Sequence, residues 1–282
     1  MNNRNFRKLL ENQWSRGNFV CVGLDSRLDN IPKSMLQSGS ESNVSIANTI
    51  VAFNRAIVEA TKNLVCAYKP NSAFYEAYGA EGLAALHRTI VDIHILAPDV
   101  PVILDAKRAD IGNTNAGYVE AAFDFLQADA ITVNPYLGAE ALLPFLARAE
   151  KGIIVLCRTS NPGAGEFQDL SVNDEPLYLF VARRVASEWN KNGNCALVVG
   201  ATYPDELREV REIVGDMPIL IPGIGAQGGD VEKTVSVAKN SRGQGMIINS
   251  SRAIIFASKD ADFAEAARRE TEKLRDAINQ YR

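Results

Sequence analysis

The stretch Leu104-Asp105-Ala106-Lys107-Arg108-Ala109-Asp110-Ile111 puts Asp105, Lys107 and Asp110 at the end of an apolar run. Asp105 and Lys107 are two residues apart, so on a strand their side chains share one face. Asp110 follows three residues later, in the turn. Lys69 ends the preceding predicted strand, which is the expected neighbour. Four charges of alternating sign are thus expected to meet at one mouth. Burying an isolated charge is costly, and pairing offsets that cost. A lysine flanked by carboxylates stays protonated, so it is suited to deliver a proton rather than to attack as a nucleophile. For this stretch alone, a salt-bridged strand end without chemistry is the alternative, because structural ion-pair networks are also common.

A second cluster is Pro222-Gly223-Ile224-Gly225-Ala226-Gln227-Gly228-Gly229-Asp230. Gly223, Gly225 and Gly228 match G-x-G-x-x-G, but a dinucleotide site needs that pattern in a first βα unit, with an acid at the end of the next strand. Here the next strand ends in Asn249-Ser250-Ser251-Arg252, with no acid, which excludes a nicotinamide site. Glycines permit close backbone approach, and loops after the last two strands of an eightfold barrel often cradle phosphate. Arg252 supplies a planar cation for phosphate oxygens. Either loop taken separately also reads as a plain turn with a surface arginine. Both in the favoured places point to phosphate.

The elements that must position these residues alternate along the chain. Short apolar, β-branched runs occupy residues 19–25, 65–69, 100–107, 130–134, 152–158, 195–200, 218–222 and 245–249. Helix-length segments lie between them, including 43–63, 79–96, 115–126, 176–192, 204–214 and 230–239, with a last helix at 260–280. Near-continuous apolar strands suit a parallel sheet buried on both faces. Eight of them alternating with helices predict an α/β fold, a (β/α)₈ TIM barrel spanning residues 1–282 as one domain. Its active face is then the carboxyl ends of the strands, which narrows the search to Asp25, Lys69, Asp105, Lys107, Asn134, Thr159-Ser160, Pro222–Gly225 and Ser250–Arg252. Two longer loops, 26–42 and 159–173, read as lids or binding loops.

The bulk numbers exclude several classes. The 282 residues carry a net charge of −4, with 46% apolar and 23% charged residues. That balance favours neither nucleic acid nor an anionic membrane as partner. No run approaches the length of a membrane span, and the polar start lacks the apolar core of a signal peptide, so a cytoplasmic location is expected. Cys21, Cys66, Cys157 and Cys195 sit in apolar strand-like runs and read as reduced core residues. His87 and His94 lie on one predicted helix with nothing nearby to complete a metal site, so no metal is expected.

Taken together these residues resemble the orotidine 5′-phosphate decarboxylase family, in its longer bacterial branch. Asp105 to Thr114 resembles the D-x-K-x-x-D-I-x-x-T signature. Val22-Gly23-Leu24-Asp25 resembles the first-strand ribose segment, and Tyr68-Lys69-Pro70-Asn71 the second-strand lysine segment. Thr159 to Ala164 resembles the pyrimidine-contacting loop, and Pro222 to Gly229 with Ser251-Arg252 the phosphate grip. The match runs from Phe19 to Ser258.

The resemblance implies a cofactor-free decarboxylation of orotidine 5′-phosphate to uridine 5′-phosphate. Lys107 is then the proton donor to C6, and Asp105 faces the departing carboxylate. Lys69 holds the ribose and the charged array. Asp110 and Thr114 match residues that reach into a partner subunit's site, which implies a homodimer, and Ile111 is a substrate-binding residue. Asp25 binds the ribose, Ser160 the pyrimidine amide, and Pro222 packs near the base. Gln227 bridges base and phosphate, while Gly223, Gly225, Ser251 and Arg252 hold the phosphate. One departure is Ser250-Ser251-Arg252-Ala253, which replaces the glycine-rich tail usual there. Two rivals remain: a metal-dependent sugar-phosphate enzyme on the same scaffold, which needs an added acid where Lys69 stands, and a non-catalytic nucleotide sensor, which has no need of Lys107.

Overall fold

A computed structural model describes residues 4–36, 45–224 and 229–282. Eight parallel strands form its centre: β1 Val20–Gly23, β2 Val65–Lys69, β3 Ile103–Arg108, β4 Ala130–Val133, β5 Gly152–Arg158, β6 Cys195–Val199, β7 Ile219–Pro222 and β8 Met246–Ser250. They pair in the order β2-β1-β8-β7-β6-β5-β4-β3. All residues of β1, β2, β4, β6 and β8 are buried, as expected of strands covered on both faces.

The two ends of this sheet meet at β2 and β3. There the pairing is reduced to single bridges, Tyr68 with Val102 and Asn71 with Asp105. The residues Pro70 and Pro101 account for it, since neither has an N–H to give to a ladder. Their carbonyls still accept, from Asp105 N at 3.0 Å and from Tyr68 N at 3.0 Å. The barrel is therefore nearly closed, and its loosest seam runs between the two strands that carry Lys69 and Asp105.

The helices fall where the apolar periodicity puts them. Gly79–Leu96 and Pro204–Val214 match the expected bounds, and the last helix, Phe263–Tyr281, begins three residues late. The segment expected at 115–126 starts earlier, at Gly112, and its second half winds into a π-turn at Glu120–Phe125. A helix at Gly138–Leu146 links β4 to β5, with Pro144 inside it masking the helical pattern. The 159–173 loop is more ordered than a bare connection: it contains a short helix, Gly165–Gln168, and a two-residue strand, Ser171–Val172, that pairs with Glu175–Pro176 just beyond it. All four cysteines are buried and free. The two histidines take packing positions, His87 stacked on Phe125 at 4.9 Å and His94 3.6 Å from Asp129. Among the described residues no helix is long and apolar enough to cross a membrane.

The amino-terminal helix, Phe6–Ser15, plugs the end of the barrel opposite the strand mouths. Its Phe6 ring lies where any side chain on Gly152 would sit, and Trp14 Nε1 donates to the Met246 carbonyl at 2.9 Å. Ahead of it, Arg4 forks onto the buried Asp129 carboxylate with two 2.8 Å hydrogen bonds. Val102 N donates to the same group. Burial opposes the Asp129 charge, but the Arg4 contacts, His94 and the Val102 amide outweigh it and hold the carboxyl at about 2.

Because that value lies below the ordinary carboxylate range, the clasp is fully stabilising above about pH 4 and is lost as pH falls toward 2. Urea unfolding is expected to show the native chain losing about 2 kcal/mol more than Asp129→Asn between pH 6 and pH 2.5. Parallel curves for the two proteins would show that the clasp contributes no pH-dependent stability.

Candidate active site

The carboxyl ends of β1, β2, β3, β7 and β8 surround one pocket lined by Asp25, Lys69, Asn71, Asp105, Pro222–Ile224 and Asn249–Arg252. At its base Asp105, 8% exposed, sits between two ammonium groups. Lys69 Nζ lies 2.9 Å from Oδ2 and Lys107 Nζ 2.7 Å from Oδ1. Thr132 Oγ1 also donates to Oδ1 at 2.9 Å and accepts from Lys107 N at 2.9 Å. Asn71 Nδ2 makes a longer contact, 3.4 Å, with Oδ2.

The electrostatics follow from this geometry. Burial alone would raise the Asp105 carboxyl, but Lys69 and then Lys107 overcome it and hold the group well below the ordinary range. Burial alone would lower Lys69, which is 4% exposed, yet Asp105 and the nearby Asp25 hold its ammonium above the ordinary lysine range. Both therefore stay charged from roughly pH 5 to pH 10. Cys21 lies beneath the array; burial pushes its thiol up to about 12, so it is inert packing.

Lys107 differs from Lys69. Its side chain is 48% exposed, and its backbone adopts φ 47°, in the left-handed region. The β3–β4 register shifts between Leu104 and Arg108, where the strand distorts. A non-glycine residue held there stores strain of the kind found at functional sites. Among the described residues of this chain Asp110 makes no ion pair with the array. Three of the four expected charges meet, while Asp110 Oδ1 accepts from its own neighbour, Ile111 N, at 2.7 Å, and its backbone is pinned by Asn115. Ile111 is 61% exposed and Thr114 is also exposed, in the first turn of Gly112–Val119.

The other expected residues fall as follows. Asp25 lies two residues past β1 with Oδ1 buried and, among the described residues, without a hydrogen-bond partner, an acceptor facing the pocket region. Pro222 ends β7, and Gly223 turns the chain at φ 108°. Gly229 N donates to Gly223 O at 3.2 Å. Gly225 and Gln227 lie outside the described residues. Ser251 and Arg252 line the pocket, with Arg252 exposed at the start of a short helix, Arg252–Ile255. Ser160 stands apart from the pocket lining and is packed on Gly200 at the end of β6, where an added Cβ would come within 2.7 Å of it.

Thr132, Asn71 and Asn249 were missed as site residues. Thr132 interrupts the apolar strand Ala130–Val133, and Asn249 interrupts Met246–Ser250. A polar residue near the carboxyl end of a barrel strand is the signal that could have found both. Among the described residues no group of three or more His, Cys, Asp or Glu stands together as a metal site.

Eight parallel strands, intervening helices and a charged pocket at the strand carboxyl ends define a (β/α)₈ barrel with its site at the usual mouth. The sequence pattern of the "Orotidine 5'-phosphate decarboxylase / HUMPS family" matches residues 19–268, and the chain belongs to that family. It is 51% identical over 278 residues to the orotidine 5′-phosphate decarboxylase of Ralstonia nicotianae, covering 98% of this chain and 99% of that one. The Cellvibrio japonicus protein of the same name is 48% identical, covering 97% and 98%. Among solved structures, Leishmania donovani OMP decarboxylase superposes with TM-score 0.82 at 37% identity, covering 98% and 99%. Leishmania donovani UMP synthase gives 0.86 at 39%, covering 99% of this chain and 56% of that one.

The charge array makes unequal demands on its members. Asp105→Asn leaves Lys69 buried without its counter-charge and is expected to lower the unfolding free energy by about 3 kcal/mol or more. Lys107→Met, at a half-exposed position, is expected to change it by about 1 kcal/mol or less. Denaturant titrations at pH 7 decide this, and equal losses would contradict the asymmetry.

Proposed function

We propose that this chain, acting as a single barrel domain over residues 1–282, decarboxylates orotidine 5′-phosphate to uridine 5′-phosphate and carbon dioxide. This is the last step of de novo UMP synthesis. The observation that carries the reading is the Asp105 carboxylate fixed between Lys69 and Lys107 in a pocket that Arg252 also lines. The family and its relatives supply the substrate.

The reaction breaks the bond between C6 and the substrate carboxylate, leaving an electron pair on C6. That pair has no ring position to spread into, so the site must stabilise it electrostatically. Lys107 is the catalytic cation: its ammonium faces the developing charge and passes a proton to C6. Half exposure lets it regain that proton from solvent. Asp105 orients Lys107 and lies near the substrate carboxylate. Lys69 neutralises Asp105 and reaches the ribose, with Asp25 accepting from a ribose hydroxyl. Ser160 and Pro222 contact the base. Gly223, Gly225, Gln227, Ser251 and Arg252 bind the phosphate end. Charges already fixed by folding need no reorganisation when the barrier is crossed, and such preorganisation is often what lowers a barrier most. Binding energy from the remote phosphate adds to it by positioning the ring.

The residue Lys69, buried in an ion pair where a metal-dependent sister enzyme needs a carboxylate, favours this reading over that one. The working unit is a homodimer in the cytoplasm, with Asp110, Ile111 and Thr114 serving the partner's pocket. The exposed Ile111, Tyr136, Leu137 and Leu143, around two helices that pack together, support such an interface.

Purified, chelator-treated protein is expected to consume orotidine 5′-phosphate, read as a fall in ultraviolet absorbance. Lys107→Ala should lose roughly 10³-fold or more of the rate. Intact substrate beside folded native protein would overturn the assignment. Mixing Lys107→Ala and Asp110→Ala chains tests the shared site. Random dimers should regain roughly a quarter of native sites, since half are mixed and each mixed dimer holds one intact pocket. No recovery despite proven exchange would assign Asp110 to its own subunit.

A further inference from the structure

Directly behind Asp25 lies a patch of polar side chains where an apolar core would be expected. Ser26, Asn54, Tyr75 and Thr89 are each 0–1% exposed. Asn54 is the hub. Its Oδ1 accepts from Ser26 Oγ, and its Nδ2 donates to Tyr75 OH and to Thr89 Oγ1, both at 3.0 Å. Tyr75 OH in turn donates to the Leu24 carbonyl at 2.9 Å. The network thus grips the chain on both sides of Asp25, through Leu24 and through Ser26.

The need for that grip is visible in the backbone. The β1 ladder ends at Gly23, opposite Lys69. Beyond it the Leu24 carbonyl has left the sheet and must find another donor or remain unpaired in the core. Asp25 meanwhile presents a buried Oδ1 that nothing among the described residues satisfies. A carboxylate oxygen left open in this way keeps its aim only if the backbone beneath it is fixed.

Tyr75 also belongs to the segment that follows Lys69. Ser72 N donates to the Asp105 carbonyl at 3.2 Å, and Tyr75 N donates to Ser72 O at 3.0 Å. One hydroxyl therefore ties the end of β1, bearing Asp25, to the turn shared by Lys69 and Asp105, across strands that contribute separate walls of the pocket.

We infer that Tyr75, seated by Asn54, is a positioning residue that aims the Asp25 carboxylate at a sugar hydroxyl of the substrate. This rests on the reading of Asp25 as the sugar-hydroxyl acceptor. Tyr75 touches no substrate atom and acts through the Leu24 carbonyl.

The test uses Tyr75→Phe, which deletes one oxygen, with steady-state kinetics on orotidine 5′-phosphate and on its 2′-deoxy and 3′-deoxy analogues. Asp25→Asn and the double variant are assayed in parallel. Tyr75→Phe is expected to lower kcat/KM on the parent roughly tenfold, the scale of an unmade buried hydrogen bond. The loss should shrink to within about twofold on the analogue lacking the hydroxyl that Asp25 takes, and in the Asp25→Asn background. Asn54→Leu, which keeps the Tyr75 hydroxyl but unseats it, should give the same substrate-dependent pattern, and stands in if Tyr75→Phe does not fold. An equal loss on all three substrates, an additive double variant, or no loss would overturn the proposal. If Asp25→Asn discriminates the analogues as the native enzyme does, the reading of Asp25 itself falls. Loss of discrimination in Asp25→Asn but not in Tyr75→Phe removes the positioning role alone.

Discussion

Taking the Asp105 carboxylate out of water costs several kcal/mol, and the cost is offset within hydrogen-bonding distance by two ammonium groups and a threonine hydroxyl. The rest of the mouth depends on that balance. Lys69 is tolerated at 4% exposure because Asp105 is there, and Asp105 stays ionised because Lys69 is there. Neither can be removed without stranding the other, so fold and site share one interaction. Lys107 stands at its open edge, bound to the same carboxylate yet half exposed.

The barrel places this array at its weakest seam. Pro70 and Pro101 reduce β2–β3 pairing to single bridges, and the site side chains make up part of what the ladder omits. Lys69 and Asn71 reach across from the β2 side to Asp105 on β3. The opposite end is closed by other means: a helix, an aromatic pair and the Arg4–Asp129 clasp. Division of this kind lets one end carry strain and unpaired acceptors while the other supplies stability.

Sequence reading reached the architecture because buried parallel strands leave a plain signature. Cys195–Val199 and Gly152–Arg158 are apolar along nearly their whole length. It reached Lys69, Asp105 and Lys107 because charge at the end of such a strand demands an explanation. It grouped Asp110 with them by spacing; within this chain the Asp110 carboxylate accepts from Ile111 N instead, after Lys107 has turned left-handed. Thr132 escaped because a single threonine inside a strand is ordinary, and only the fold shows it between Asp105 Oδ1 and Lys107 N.

A cation aimed at a carbanion must be firmly oriented yet able to exchange its proton, and these demands conflict in a dry interior. Under the proposed mechanism the chain resolves the conflict by dividing the two lysines. Lys69 takes the buried place, where its charge is fixed by Asp105. Lys107 takes the edge, where a strained backbone and the Asp105 and Thr132 contacts hold it while solvent reaches its ammonium. The strain at Lys107 is retained because the surrounding ion pair and hydroxyl over-determine its position. A relaxed strand at that point would carry the side chain along the ladder instead of into the mouth. The left-handed turn is therefore part of the site's construction, and the buried Lys69–Asp105 pair is what makes that turn tolerable.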